Sequence, residues 1–158
     1  MDASVIEGES VDIQISDDLV SEYPSEASLT VWAQAAVQTK KDAGMTIRVV
    51  DKTEMQQSNL QWRGQDKPTN VLSFAAEFPP QAGVDYLGDI LICAEVLEQE
   101  SIEQGKALND HWAHIVVHGV LHLQGFDHQN EEDAQRMEQR ERQILTTLGI
   151  ADPYRNDV

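Results

Sequence analysis

The sequence predicts a single α+β domain in which a roughly four-stranded mixed sheet is packed with about five helices. Two observations lead to this fold class. Four short segments are rich in β-branched and apolar residues, and amphipathic helical segments lie before, between and after them. A length of 158 residues fits one hydrophobic core, and no internal repeat is evident. We therefore expect one domain over residues 1–158, with residues 1–10 and 154–158 flexible.

The first half of the chain predicts two strands and two helices. Val11–Ile15 alternates apolar and polar residues, as a half-buried strand does. An apolar stripe at helical spacing begins after Ser25 and ends before Gly44, which predicts a helix. The β-branched segment 45–50 is a second predicted strand, and 53–60 is a short predicted helix that begins at Thr53 as its cap.

The next part of the chain predicts two further strands and a helix. Segment 62–69 is polar and contains glycine and proline, so we expect a loop. Residues 70–75 and 87–93 are predicted strands, joined by a turn-rich connector over 78–83. Residues 94–104 are the next predicted helix.

Two helices complete the prediction. The first is capped by Asn109 or Asp110 and is apolar on nearly every side, so we expect it to be a buried central helix. The acidic run 131–133 suits the positive start of the last helix, which continues to Gly149.

All five histidines of the chain lie on or just after the predicted central helix: His111, His114, His118, His122 and His128. His118 and His122 are four residues apart, which places them one turn apart on the same helix face. Gly125 permits the positive φ that ends a helix, so the chain can bring His128 back towards that face. Three converging imidazoles that leave a fourth coordination position open are typical of a catalytic zinc. The spacing therefore predicts a metal site at His118, His122 and His128.

The distribution of charge leaves two interpretations open. A net charge of −17 disfavours contact with nucleic acid. Residues 40–67, however, contain six basic and four acidic side chains and so carry +2, which leaves −19 for the rest of the chain. This segment is either a chance cluster on the solvated surface or a binding strip for an anionic substrate.

The cysteine content and the hydropathy indicate the compartment. Cys93 is the only cysteine, so an intramolecular disulfide is excluded. The N-terminus lacks the basic region and apolar run of a signal peptide, and no window approaches the roughly 20 apolar residues of a membrane span. We therefore expect a cytoplasmic protein.

The predicted metal site favours phosphodiester cleavage over peptide hydrolysis. Zinc on three neutral imidazoles lowers the pKa of its bound water to about 7 and polarises carbonyl or phosphoryl oxygens. The histidine spacing matches that of metzincin proteases, but Gly119 stands where those enzymes carry their general-base glutamate. Phosphodiester cleavage requires neutralisation of negative charge in the transition state, which an arginine provides well. Arg63, inside the net-positive segment, is a candidate for that role.

Three blocks of the sequence resemble the YbeY family of endoribonucleases. These blocks are Trp62–Phe74, Leu87–Ile90 and His118–His128, and they occur in the order expected for the family. The resemblance extends from about residue 10 to the tail Asp152–Tyr154, which is nearly the whole chain.

This resemblance implies a metal-dependent, single-strand-specific endoribonuclease. It implies action in ribosomal RNA maturation, notably at the 3′ end of 16S RNA, and in ribosome quality control. One zinc ion per chain would bind His118, His122 and His128, although three imidazoles also suit nickel or copper. Arg63 would be the essential catalytic arginine, and the strand that begins at Asn70 would border the same cleft.

The resemblance also implies partners. These are single-stranded RNA and ribosomal RNA, proteins of the small ribosomal subunit and an Era-type GTPase, with no membrane. The acidity of the chain favours docking on a ribosomal partner over tight binding to free RNA.

Several roles stay open at the level of sequence. Asp127 either orients a metal ligand or caps the turn. His114, four residues before His118, either hydrogen-bonds near the metal or has a core or surface role. Lys67 and Asn70 are candidate RNA contacts. The nucleophile is either water or the ribose 2′-hydroxyl. A non-enzymatic ribosome-assembly factor with a metal that only stabilises the fold is the alternative function, and a zinc metalloprotease is a weaker one.

Overall fold

The computed structural model of the chain describes residues 11–38, 43–77, 85–127 and 129–154. Within these ranges the chain forms a four-stranded mixed sheet and five α-helices, which confirms the predicted fold class. The elements are β1 (Val11–Ile15), α1 (Glu26–Ala35), β2 (Gly44–Val50), α2 (Lys52–Arg63), β3 (Val71–Ala75), β4 (Tyr86–Cys93), α3 (Ala94–Gln104), α4 (Leu108–Leu123) and α5 (Glu131–Thr147). The predicted connector over 78–83 lies outside the described residues.

The sheet has the strand order β1-β2-β4-β3. β1 pairs with β2 and β2 pairs with β4 in parallel, whereas the edge strand β3 pairs with β4 antiparallel. Parallel neighbours need a crossover connection, and α1 makes it between β1 and β2. In the β3–β4 register, Ser73 lies opposite Ile90 and Phe74 lies opposite Asp89. Side chains alternate along a strand, so these two pairs face opposite sides of the sheet.

Helices cover both faces of the sheet. One face contributes Ile47, Val49, Ile90 and Ile92 to a large core that also includes residues of α1, α3, α4 and α5. The other face contributes to a smaller buried cluster of Val50, Met55, Leu72 and Cys93 under α2. The central sheet therefore separates α4 from α2.

α4 is the buried central helix that the sequence predicts. Most of its residues are buried, and Trp112, Val116 and Leu121 are fully so. It packs against the other helices α1, α3 and α5 and against the strands β3 and β4. No helix in the described part of the chain is long and apolar enough to cross a membrane.

Two helix ends differ from the sequence-based expectation. α2 is capped by Asp51, whose Oδ1 accepts from the Glu54 amide at 2.9 Å, so it begins before Thr53. It also continues to Arg63, where Gly64 ends it at a φ of 70°. The predicted loop over 62–69 was therefore wrong for its first two residues, because Trp62 and Arg63 belong to the last turn of the helix before Gly64 ends it.

The start of α4 also differs. Its N-terminal cap position is Ala107, which makes no side-chain cap, rather than Asn109 or Asp110. The helix start predicted after Ser25 is confirmed, and Ser25 caps the helix, since its hydroxyl accepts from the Ser28 amide at 3.1 Å.

Candidate metal centre

Four histidines form a polar stripe along α4. They are His111, His114, His118 and His122. They are three or four residues apart, so they share one face of the helix. Successive imidazole ring centres along the stripe are 6.3, 6.2 and 4.9 Å apart. The stripe places the imidazoles of α4, which are side chains that can bind metals, on one side of a mostly apolar helix.

The helix backbone approaches β3 closely at Gly119. The Ser73 hydroxyl donates to the Gly119 carbonyl oxygen at 3.3 Å. A Cβ atom at Gly119 would lie 3.3 Å from both the Ser73 hydroxyl oxygen and the Ile90 side chain. The absence of a side chain at Gly119 thus sets the distance between the histidine helix and the edge of the sheet. The strand that follows Asn70 accordingly packs against α4.

The helix ends as the sequence predicts. Gly125 has a φ of 96°, and the Phe126 amide donates to the Leu121 carbonyl oxygen at 3.2 Å, which reverses the chain direction. Asp127 follows in this turn and is half-buried. His128 lies outside the described residues, so its predicted place in the metal site stays a prediction.

A buried carboxylate on α5 faces the histidine stripe. Glu141 is 0% exposed. Its Oε2 accepts a hydrogen bond from His118 Nδ1 at 2.5 Å, and its Oε1 lies 3.5 Å from His114 Nε2. Burial opposes ionisation of this carboxyl group, but the hydrogen bonds from His114 and His118 outweigh it and lower its pKa to about 2. Glu141 is therefore an anionic acceptor inside the core.

The C-terminal tail closes this network. The Tyr154 hydroxyl donates to Oε1 of Glu141 and lies 3.2 Å from His114 Nε2. The guanidinium carbon of Arg142 lies 5.2 Å from the centre of the Tyr154 ring. The backbone amide of Tyr154 donates to the Asp152 carboxylate at 2.8 Å. Burial, together with the bond to Glu141, raises the pKa of Tyr154. Although the sequence places Tyr154 in the tail expected to be flexible, its side chain is docked on the histidine helix.

Neither Glu141 nor Tyr154 is among the site residues predicted from the sequence. The sequence places Glu141 inside the last predicted helix without indicating a role for it. The signal was nevertheless present, because Glu141 stands between Met137 and Ile144 or Leu145 in the apolar stripe of that helix. A carboxylate at a core position needs hydrogen-bond donors, and side chains of neighbouring elements have to supply them.

His114, His118 and Glu141 could hold a metal ion. Their ligand atoms all lie within 4.8 Å of one another, and the group is buried or half-buried. Among the described residues this group includes one of the three predicted ligands, His118. His122 is its neighbour on α4, with the two ring centres 4.9 Å apart. Imidazoles and carboxylates are ligand types that divalent metals such as zinc take, although His118 and Glu141 are hydrogen-bonded to each other in this arrangement.

His114 is a hydrogen-bonded member of this group. Its side chain is 12% exposed. Burial lowers its pKa, although Glu141 acts in the opposite direction, so the neutral imidazole is favoured. His114 is thus both largely buried and hydrogen-bonded, so the roles that the sequence left open for it stay open.

Arg63 lies apart from the histidine stripe. It is exposed and is the last residue of α2, on the opposite side of the sheet from α4. Its neighbour Trp62 is 64% exposed and packs edge-on against Phe74 of β3, with ring centres 6.1 Å apart. Because β3 is the edge strand, a substrate that contacts both Arg63 and the histidines has to pass this edge. The role of Arg63 stays a prediction.

The two candidate RNA contacts differ in their surroundings. Lys67 is exposed. Asn70 is half-buried and donates to Glu100 at 3.3 and 3.4 Å, and Glu100 also pairs with the buried His111 at 2.8 Å. The Asn70 side chain is thus engaged within the fold.

The net-positive segment contains an internal ion pair. Arg48 Nε lies 2.6 Å from Glu54 Oε2, and this contact raises the pKa of Arg48 despite partial burial. Part of the positive charge predicted to attract an anion is thereby neutralised locally.

Comparison with known proteins identifies the family. A family model described as endoribonuclease YbeY matches residues 9–149. The chain belongs to the YbeY endoribonuclease family. Membership supports an endoribonuclease role in ribosomal RNA processing and confirms the resemblance of the three sequence blocks.

A solved structure has the same fold as this YbeY chain. A solution structure of a protein from Thermotoga maritima is similar with a TM-score of 0.56 and 22% sequence identity, over 92% of this chain and 99% of that one. At this identity the similarity concerns the fold alone.

Proposed function

We propose that this YbeY-family protein is a metal-dependent, single-strand-specific endoribonuclease that acts at the 3′ end of 16S RNA and in ribosome quality control. The observation that carries the proposal is the orientation of His118. Its Nδ1 donates to a buried carboxylate, so its lone pair lies on Nε2, on a helix face that also bears His122. His118 and His122 are one helical turn apart, and the tautomer of His118 is fixed by its hydrogen bond to Glu141, an arrangement that suits metal binding.

The proposed ligands are His118, His122 and His128. The turn at Gly125, with its φ of 96°, supports the return of the chain towards α4. Zinc fits this donor set, with nickel or copper as alternatives that metal supply decides. When bound, such a metal supplies Lewis acidity towards a phosphodiester. Asp127, in the same turn, is proposed to help orient a ligand.

Arg63 is proposed to neutralise charge on the phosphoryl group. Its exposed position at the end of α2 leaves its guanidinium accessible to RNA. Guanidinium groups match phosphate geometry and act without a change of protonation. Lys67 is proposed as an additional backbone contact. Asn70 is a weaker candidate because Glu100 already accepts from its amide.

The acidity of the chain supports action on the ribosome. A net charge of −17 opposes tight binding to free RNA, because such binding depends on cationic contacts with phosphates. We therefore propose that proteins of the small ribosomal subunit, or an Era-type GTPase, present the substrate. The proposed compartment is the cytoplasm, where ribosomal RNA is processed.

Cleavage of a labelled single-stranded RNA tests the proposed function. The samples are metal-replete wild type, chelated wild type and His122→Ala, purified identically. His122→Ala is chosen because it leaves the His118–Glu141 hydrogen bond in place. Cleavage by the replete wild type alone supports the proposal, and equal cleavage by all three contradicts it. Small ribosomal subunits serve as a second substrate, and no cleavage of either substrate favours the assembly-factor alternative.

A further inference from the structure

We propose that Glu141 is a positioning residue that fixes His118 for metal binding, and that the C-terminal tail holds Glu141 in place through Tyr154. The inference rests on the proposed metal site. It assigns a role to a side chain on α5 and to a docked tail, neither of which belongs to the predicted set of ligands.

The location of Glu141 is unfavourable for a residue with only a structural role. It occupies a core position of α5, beside the buried Met137 and Leu145. Transfer of a carboxylate from water into a core is costly, and replacement of a buried ion pair by well-packed apolar residues is often neutral or stabilising. An apolar side chain would serve packing alone. The carboxylate at this position points to a need for an anionic acceptor beside the histidines.

The hydrogen bond determines which nitrogen of His118 can bind a metal. An ionised carboxylate can only accept, so His118 Nδ1 must donate to Glu141 Oε2 across the 2.5 Å between them. The lone pair of the neutral imidazole is then on Nε2. A carboxylate that accepts from one ring nitrogen of a metal-binding histidine fixes the ring and makes the other nitrogen more basic. Glu141 therefore prepares His118 to bind through Nε2.

The same distance argues against a metal between His118 and Glu141. Zinc bonds to nitrogen and oxygen are about 2.1 Å long, so two ligand atoms of a tetrahedral zinc are about 3.4 Å apart. The separation of His118 Nδ1 and Glu141 Oε2 is only 2.5 Å. The His114–His118–Glu141 group is in this arrangement a hydrogen-bonded network, and the metal belongs on the Nε2 side of His118.

The tail completes this network. Tyr154 donates to Oε1 of Glu141, and His114 lies beside the same oxygen. Both oxygens of the carboxylate are thereby engaged, which limits rotation of the side chain. Arg142 holds the tail through contacts with the Tyr154 ring and with Asp152 at 3.3 Å. Docking of the tail is thus coupled to the orientation of His118.

Metal affinity measured without RNA tests this inference. Zinc binding is determined by competition with a chelating dye, and the absorption spectrum of the cobalt-substituted protein reports ligand geometry. Glu141→Gln should bind zinc 10- to 100-fold more weakly, as loss of such a partner typically does. Tyr154→Phe should show a smaller loss in the same direction. Glu103→Gln, which removes the same charge from an exposed position on α3, should bind as wild type does.

The outcomes distinguish this inference from the proposed function. Wild-type affinity in Glu141→Gln, with zinc bound normally by wild type, overturns the inference and leaves the proposed function standing. Failure of wild type to bind any metal overturns both. His122→Ala should abolish tight binding while His114→Ala retains it, and the reverse result overturns the inference. If Glu141→Gln does not fold, Tyr154→Phe decides, and unchanged zinc affinity in that variant overturns the role of the tail.

Discussion

Removal of the Tyr154 hydroxyl tests whether the tail is docked on the histidine helix. This hydroxyl donates to Glu141, whose carboxylate is 0% exposed. Hydrogen bonds to charged groups contribute about 1.5–3 kcal/mol. The carboxylate retains His118 at 2.5 Å and His114 at 3.5 Å, so it is not left without a partner. We therefore expect Tyr154→Phe to lower the free energy of unfolding by about 1.5 kcal/mol, at the lower end of that range.

Urea unfolding of the metal-free protein at neutral pH measures this change. For a chain of this size, a loss of that amount lowers the melting temperature by roughly 3–6 °C. Tyr23→Phe is the matched control, because Tyr23 is 44% exposed and its replacement should leave stability unchanged. If Tyr154→Phe destabilises no more than Tyr23→Phe, the tail does not stabilise the buried carboxylate and the reasoning is refuted.

Two further predictions concern Arg63 and Glu100. Because Arg63 is exposed, Arg63→Ala should keep the stability and metal content of wild type but lose RNA cleavage. Arg140→Ala, an exposed control on α5, should keep stability, metal content and cleavage. Cleavage by the Arg63 variant would remove this arginine from the mechanism. Burial opposes ionisation of Glu100, but hydrogen bonds from His111 and Asn70 outweigh it and lower its pKa. Such a group stabilises the fold above its unfolded pKa of about 4.3, and this stabilisation is lost as the pH falls through the folded pKa. When urea unfolding is repeated at successively lower pH below about 5, the free energy of unfolding should therefore fall less for Glu100→Gln than for wild type. An equal fall of the free energy of unfolding with pH in both proteins would contradict this expectation.

Local patterns were sufficient to predict the elements of the fold. Alternation of apolar and polar residues in Val11–Ile15 specifies a strand because successive side chains of a strand point to opposite faces. The β-branched residues in 45–50 specify a strand because such side chains pack well on a pleated sheet. The pairing of those strands was not accessible. β2 lies between β1 and β4, and this order depends on which apolar faces the helices cover. The extension of α2 to Arg63 was not predicted, although Gly64, which ends the helix at a φ of 70°, is a local signal for it.

The sequence by itself determined the part of the candidate site that is local. The four-residue spacing of His118 and His122 places both on one helix face, and Gly125 permits the turn that follows. Only the tertiary structure decided which side chains hydrogen-bond to the histidines on that helix face. Glu141 reaches His118 from α5, 23 residues along the chain, and Tyr154 reaches Glu141 and His114 from the tail. Local sequence periodicity cannot predict these contacts, because they form only when helices distant in sequence pack together and place hydrogen-bond donors beside the buried carboxylate.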